Sequence, residues 1–235
     1  MLDEKLTLAI LPTPLHPLSR LSQELGIEVW IKRDDLTGFA MGGNKVRKAE
    51  YLLADAKAQE ADVILTAGAV QSNHARVIAA AARSQGMDCI LFLSGQKPER
   101  ITGNLILDHL ADARIEYVAN PAERPAAMQV LADRLRAEGR VPYVIPIGGS
   151  NAVGALGYVA GYRELAEQVR ELPPCPTCLV FASSSGGTYA GLLAGTALAG
   201  PVIDLLGIRV DNDPDPERAI CTEANKVAAG LWLGR

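Results

Sequence analysis

Histidine and cysteine are scarce in this 235-residue chain, three of the first and four of the second. His16, His74 and His109 stand apart along the sequence, and the single CPTC pair, Cys175 and Cys178, has no second ligand pair to complete a zinc site. That pair precedes the strand-like CLVFAS, whereas a thioredoxin-like CxxC lies between a strand and a helix, so Cys89, Cys175, Cys178 and Cys221 read as ordinary reduced thiols and no metal is expected. A long basic run is also missing. With a net charge of -4 and a pI near 5.5, the chain lacks the footprint of a nucleic-acid binder. No apolar run reaches membrane-spanning length, and the opening MLDEKLTLAILPTPLHPLSR has no positively charged start ahead of an apolar core, so neither a membrane span nor a signal peptide is expected. The expectation is a soluble cytoplasmic protein with no nucleic-acid or membrane partner.

What the chain does have is hydrophobic content, 49% of residues, enough for one large core or two small ones. Apolar runs rich in Val, Ile and Leu alternate with helical patterns. DVILTA (62–67) reads as a buried strand, NHARVIAAAARSQG (73–86) as a helix ending at Gly86, and DCILFL (88–93) as the next strand. The rhythm continues with helices around 102–112, 122–138, 153–170 and 188–199, and with strands IEYVA, YVIPI, CLVFAS and DLLGIRV. Strands that are apolar throughout and separated by helices imply parallel sheets covered on both faces, hence an α/β fold. DNDPDPE (211–217) reads as an acidic, solvated turn capping a last helix.

Three stretches break this pattern, each where a strand or loop meets a helix start. In GGNKVRKAEYLLADA (42–56), Lys45, Arg47 and Lys48 gather where the exposed N–H groups and partial positive charge of a helix repel cations. Helical spacing places Ala49, Leu52, Leu53 and Ala56 on one apolar stripe and lets Lys45 and Lys48 share a face. A bound phosphate would make that arrangement favourable, and a lysine beside other cations has a lowered pKa and a more nucleophilic amine; a solvated basic face is the alternative. In TAGAVQSNHARV (66–77), small residues allow close backbone approach and Gln71, Ser72, Asn73 and His74 crowd polar groups at the next helix start. Ser72 or Asn73 could be only the N-cap, but such a turn also offers free N–H groups to a carboxylate. In FASSSGGTYAGLLAG (181–195), a strand, a run of serine and glycine, and a helix opening at Thr188 describe a phosphate cradle. It matches neither GxGxxG nor GxxxxGK[ST], which excludes the common nucleotide motifs.

An imine-forming lysine, a carboxylate-accepting turn and a phosphate loop together suggest a pyridoxal phosphate enzyme acting on an amino acid. The segments LPTPLHPLSRL, KRDDLTGFAMGGNKVRKAEYLLADA, TAGAVQSNHARV, TGNLILDHL, IPIGGSNAVGALGYV and SSSGGTYAG closely resemble the D-cysteine desulfhydrase and 1-aminocyclopropane-1-carboxylate deaminase family, up to about residue 210. The resemblance implies the tryptophan synthase β-like fold (fold type II): a smaller domain, 47–156, inserted in a larger one built from 1–46 and 157–235, with the site between them. It implies a homodimer using pyridoxal 5'-phosphate. Lys45 would bond covalently to the cofactor and act as catalytic base, and Lys48 would help bind the phosphate. Asn73 would hydrogen-bond the cofactor's phenolic oxygen; catalytic Ser72, with Asn73 and His74, would line the substrate carboxylate site. Ser185, Gly186, Gly187 and Thr188 would wrap the phosphate. The implied activity is that of a lyase releasing pyruvate, sulfide and ammonia from D-cysteine, since QSNH looks like the desulfhydrase branch and deaminases tend to have Gln where His74 stands. Deaminase and L-cysteate sulfo-lyase activities are the alternatives within the family. Its members run well past this chain's KVAAGLWLGR end, so the large domain is expected to lack its C-terminal part. A non-catalytic, cofactor-binding or dimerising remnant is therefore the reading from another class.

Overall fold

The computed structural model describes residues 2, 4–210 and 215–233. A short antiparallel pair comes first: β1 (Leu15–Pro17) and β2 (Trp30–Lys32), joined through helix α1 (Ser19–Leu25). Helix α2 (Lys45–Ala58) then leads into the main sheet. Its strands are β3 (Val63–Ala69), β4 (Asp88–Ser94), β5 (Arg114–Val118) and β6 (Pro142–Ile145), all parallel, in the order β5-β4-β3-β6. The crossovers are α3 (Asn73–Ser84), α4 (Asn104–Leu110) and α5 (Arg124–Ala137). Next, α6 (Ala152–Arg170) crosses to a second parallel pair, β7 (Cys178–Ser183) and β8 (Asp204–Arg209), connected by α7 (Gly187–Ala199) and followed by α8 (Pro216–Leu233). The expected β/α alternation is therefore present. The N-terminal hairpin and α1, whose residues carry no strong period, are additions to it.

Strand periodicity divides the core of the main sheet. Ile64, Leu91 and Leu93 face α2 and α3 with Ala75, Ile78 and Ala82, whereas Val63, Leu65, Ile90 and Phe92 face α5 through Met128, Ala132 and Leu135. Both faces are covered, as a parallel sheet requires. The expected stripe on α2, Ala49, Leu52, Leu53 and Ala56, is fully buried. Helix α2 also packs on α6, and Gly157 makes that contact possible: a Cβ there would lie 2.3 Å from the Arg47 carbonyl oxygen.

Residues 211–214 of the acidic turn lie outside the described residues. At its end, the Asp215 carboxylate accepts a hydrogen bond from the Arg218 amide at 3.2 Å, an N-terminal cap on α8. Cys178 opens β7 and Cys175 lies in the loop before it, both exposed, while Cys89 is buried in β4. Among the described residues, no helix is long and apolar enough to cross a membrane. Three loops meet at the carboxyl ends of strands: 70–72 after β3, 146–151 after β6 and 184–186 after β7. In open α/β sheets, that end of the strands is where ligands bind.

Candidate active site

Helix α2 begins at Lys45 and no side chain caps it. Lys48, one turn on, is 1% exposed, and its ammonium donates to the Gly148 carbonyl at 3.2 Å. Partly buried Lys45 makes no hydrogen bond or ion pair among the described residues. Burial lowers the pKa of both amines. Lys48 falls to about 7, through burial first and the Lys45 charge second. Two adjacent amines, one buried and one partly buried, without a carboxylate partner are unfavourable unless an anion joins them.

The surrounding loops are shaped to receive one. A Cβ on Gly187 would lie 2.7 Å from Ser150 Oγ and 2.9 Å from Lys48 Nζ, so only glycine leaves the helix start of α7 open toward the lysine. Ser150 and Ser185 hydroxyls are hydrogen-bonded at 2.6 Å. Gly186 and Gly187 are buried, Thr188 is partly buried and Ser185 is exposed. A hollow of about 390 Å³ opens beside Ser150 and Ser185, bounded by Arg218 and Thr222 of α8. The Lys48 amine, the Ser150 hydroxyl and the helix start at Gly187 come together, the kind of donor set that holds a phosphate, while the hollow beside them is also bounded by Asp215 and Glu223.

Opposite lies the turn before α3. Ser72 is the N-cap, its Oγ accepting from the Ala75 amide at 3.1 Å, and close approach of Gly68 makes room for it. Asn73 is exposed, and its Oδ1 receives Asn104 Nδ2 at 3.0 Å and Arg76 Nη2 at 3.3 Å. The acceptor end of Asn73 is thus occupied and its amide N–H group remains available to donate. His74 lies elsewhere than the turn's surface: it is 3% exposed and packed behind the turn, with Nε2 2.8 Å from Thr66 Oγ1. Burial, then the charges of Lys45 and Lys48, hold its pKa well below the ordinary value. Ser72 and Asn73 therefore share an accessible turn, while His74 is buried behind it.

Arg47 parts company with its two neighbours. It is 2% exposed and points away from the cradle, donating to Asp34 Oδ1 and Oδ2 at 2.9 Å each, to Glu164 at 2.9 and 3.0 Å and to Thr13 Oγ1 at 3.1 Å. Lys32 and Tyr158 extend the network, bonding to Glu164 and Asp34. Burial favours a neutral Glu164, but the hydrogen bond and charge of Arg47, with Lys32, outweigh it and bring the carboxyl down to about 2. The three cations at the start of α2 thus do two different jobs. One ties the N-terminal hairpin segment, α2 and α6 together; two face the loops.

Sequence reasoning also missed Arg76. From α3 it donates to the Ala40 and Gly42 carbonyls as well as to Asn73. Those carbonyls belong to a strained loop, with φ of 47° at Ala40 and 67° at Met41, immediately before Lys45. Arg76 so ties the loop that carries the lysine to the turn that carries Ser72 and Asn73. The signal was available, since Arg76 lies three residues after Asn73 on one helix face.

Comparison with known proteins gives a consistent result. The family described as "Pyridoxal-phosphate dependent enzyme" matches residues 6–234. A protein named putative 1-aminocyclopropane-1-carboxylate deaminase, from Pyrococcus abyssi, is 44% identical over 210 residues, 88% of this chain and 63% of its own length. A D-cysteine desulfhydrase of Salmonella schwarzengrund is 44% identical over 223 residues, 93% of this chain and 66% of its own. The chain thus spans somewhat less than two thirds of the length of these relatives. A crystal structure of an ACC deaminase homologue superposes with a TM-score of 0.90 at 39% identity, over 97% of this chain and 70% of that one. A serine racemase from maize, at 22% identity and a TM-score of 0.64 over 83% of this chain and 55% of that one, shares the fold.

Proposed function

Since the chain belongs to the family of pyridoxal-phosphate dependent enzymes, we propose that it binds pyridoxal 5'-phosphate at the start of α2 and removes a β substituent from a small amino acid. The observation that carries this reading is the pair of uncompensated amines at the start of α2, partly buried Lys45 and buried Lys48, the second of them against a glycine-shaped cradle. Lys48 and the Ser185–Thr188 loop would hold the phosphate, and Lys45 would supply the covalent link. Asn73, whose oxygen is already engaged, would donate its amide N–H to the cofactor's phenolic oxygen. When bound, the cofactor supplies an electron sink for charge developing at the substrate α carbon.

The chain's own groups account for the rest. Ser72 and the first N–H groups of α3 would orient the substrate carboxylate. Free Lys45, its pKa lowered by burial, would take the α proton at Nζ. With D-cysteine as substrate, breaking the Cβ–S bond and adding one water yields pyruvate, hydrogen sulfide and ammonia, with no net oxidation. D-cysteine is preferred to 1-aminocyclopropane-1-carboxylate on the strength of His74 in QSNH, and L-cysteate is the other alternative within the family. We assign 47–156 to a smaller inserted domain and the flanking segments to a larger one, in a cytoplasmic homodimer.

A panel assay with D-cysteine, 1-aminocyclopropane-1-carboxylate and L-cysteate, reading sulfide, pyruvate or 2-oxobutyrate, and sulfite, tests the substrate. Sulfide and pyruvate in equal amounts from D-cysteine are expected. Turnover of another member alone would reassign the substrate. A folded, cofactor-loaded protein inert toward all three would favour the non-catalytic reading.

A further inference from the structure

The side chains around the turn before α3 form a chain of hydrogen bonds whose direction is set by groups that can act in only one way. Gln71 Nε2 donates to the Thr102 carbonyl at 3.0 Å, and Gln71 Oε1 accepts from the Asn104 amide at 2.8 Å. A main-chain carbonyl only accepts and a main-chain N–H only donates, so the Gln71 side chain has one permitted orientation. Asn104 is fixed in the same way. Its Nδ2 lies 2.8 Å from the Gln71 carbonyl, which requires a donor there, and the same NH2 group reaches Asn73 Oδ1 at 3.0 Å. Arg76 Nη2, which has protons and no lone pair to offer, meets that oxygen at 3.3 Å.

An Asn73 side chain turned over would set its own NH2 group against two donors and lose both bonds. Its oxygen is therefore committed to Asn104 and Arg76, while its Nδ2 makes no hydrogen bond among the described residues. The clamp closes at short range. A Cβ on Gly103, the residue before α4, would lie 2.5 Å from Gln71 Oε1, so a glycine there lets the start of α4 reach the turn. Two helices thus converge on one amide, α4 through Asn104 and α3 through Arg76.

We propose that Asn104 is a positioning residue: acting with Arg76, it holds the Asn73 side chain by its oxygen, leaves the N–H groups free, and so makes this turn select a hydrogen-bond acceptor, here the phenolic oxygen of the cofactor. This rests on the functional reading above, which puts that oxygen at Asn73. An asparagine without such partners turns over and offers either end of its amide to a ligand. Held by Asn104 it offers one end, so the orientation is settled before the ligand arrives and adds no ordering cost on binding. Gln71 does for Asn104 what Asn104 does for Asn73.

The first test uses the cofactor-free protein. The 13Cγ resonance of Asn73, assigned by its loss in Asn73→Ala, is expected downfield of those of freely turning asparagines, because its oxygen accepts two hydrogen bonds, and is expected to move upfield in Asn104→Ala and Asn104→Asp. The second test measures affinity by equilibrium dialysis for pyridoxal phosphate and for its 3-deoxy analogue, which lacks the phenolic oxygen. Asn104→Asp, whose carboxylate accepts where Asn104 donates, is expected to lower the ratio of the two affinities about tenfold, and uncharged Asn104→Ala to lower it about threefold. A part played only in holding α4 would weaken both ligands alike and leave the ratio unchanged. That result overturns the proposal, as does an Asn73 13Cγ resonance indifferent to both substitutions. An unsubstituted protein that binds neither ligand undoes the functional reading instead, and the 13Cγ comparison still decides the hold on Asn73, so the two failures are distinguishable.

Discussion

At the scale of single residues, the site depends on atoms that are absent as much as on those present. Gly187 is the clearest case, because a methyl there would meet Ser150 Oγ and Lys48 Nζ at under 3 Å. Gly187→Ala is expected to weaken retention of pyridoxal phosphate at least tenfold, about 1.4 kcal/mol. Equilibrium dialysis checks this, and unchanged affinity in a folded variant would remove Gly187 from the cradle. Ser72 carries two duties, capping α3 and lining the accessible turn. Ser72→Ala should lose a cap worth about 1 kcal/mol, lowering Tm by about 2–4 °C, yet keep the cofactor and lose most turnover. Differential scanning calorimetry and steady-state kinetics separate the two duties; unimpaired kcat would leave only the cap.

Elements are held by the Arg47 network, which joins α2 to α6 through Glu164 and to the segment around Asp34. Removing Arg47 leaves Glu164 with Lys32 and Asp34 with only the hydroxyls of Tyr158 and Thr13, so Arg47→Met is expected to cost about 3–5 kcal/mol in urea unfolding. Loss of less than about 1 kcal/mol would mean that the carboxylates find water or other partners. The network also predicts the acid limb of stability. Glu164 is held at about 2 against an ordinary 4.5, so its contribution is complete above pH 4.5 and disappears as pH falls toward 2. The shift corresponds to about 3 kcal/mol. Stability measured across that window should fall steeply in the unsubstituted protein and more gently in Glu164→Gln. Equal slopes would contradict the assignment.

Over the whole molecule, the β/α alternation was legible because buried parallel strands are apolar throughout and helices repeat at their own period, as DVILTA and NHARVIAAAARSQG illustrate. Lys45, Lys48 and the serine-glycine loop were legible because each breaks a local rule. The role of Arg47 was not, since its partner Glu164 lies 117 residues away, and Arg76 was readable only as a neighbour of Asn73, because the Ala40 carbonyl that it ties lies 36 residues away. The second sheet differs from the first in having one bare face. Leu179, Phe181 and Leu205 pack toward α6 and α7, whereas Val180, Leu206 and Ile208 on the other face are 59%, 48% and 48% exposed. A bare parallel-sheet face is unusual and adhesive. The native chain is expected to enhance fluorescence of an anilinonaphthalene dye, and Val180→Lys with Leu206→Lys to abolish most of that signal with unchanged circular dichroism. Absence of dye binding in the unsubstituted chain would mean this face is covered in solution.

The most direct measurement adds pyridoxal phosphate to the purified protein, reduces the mixture with borohydride and maps the labelled peptide, with Lys45→Ala in parallel. Lys45 and Lys48 lie one helical turn apart with lowered pKa values, so each is a chemically competent amine. The cradle binds Lys48 to its wall and leaves Lys45 free. Label on Lys45, lost in Lys45→Ala without unfolding, is the predicted result. A folded protein that takes up no label, or takes it up on Lys48 or on surface lysines instead, would contradict the reading of this site.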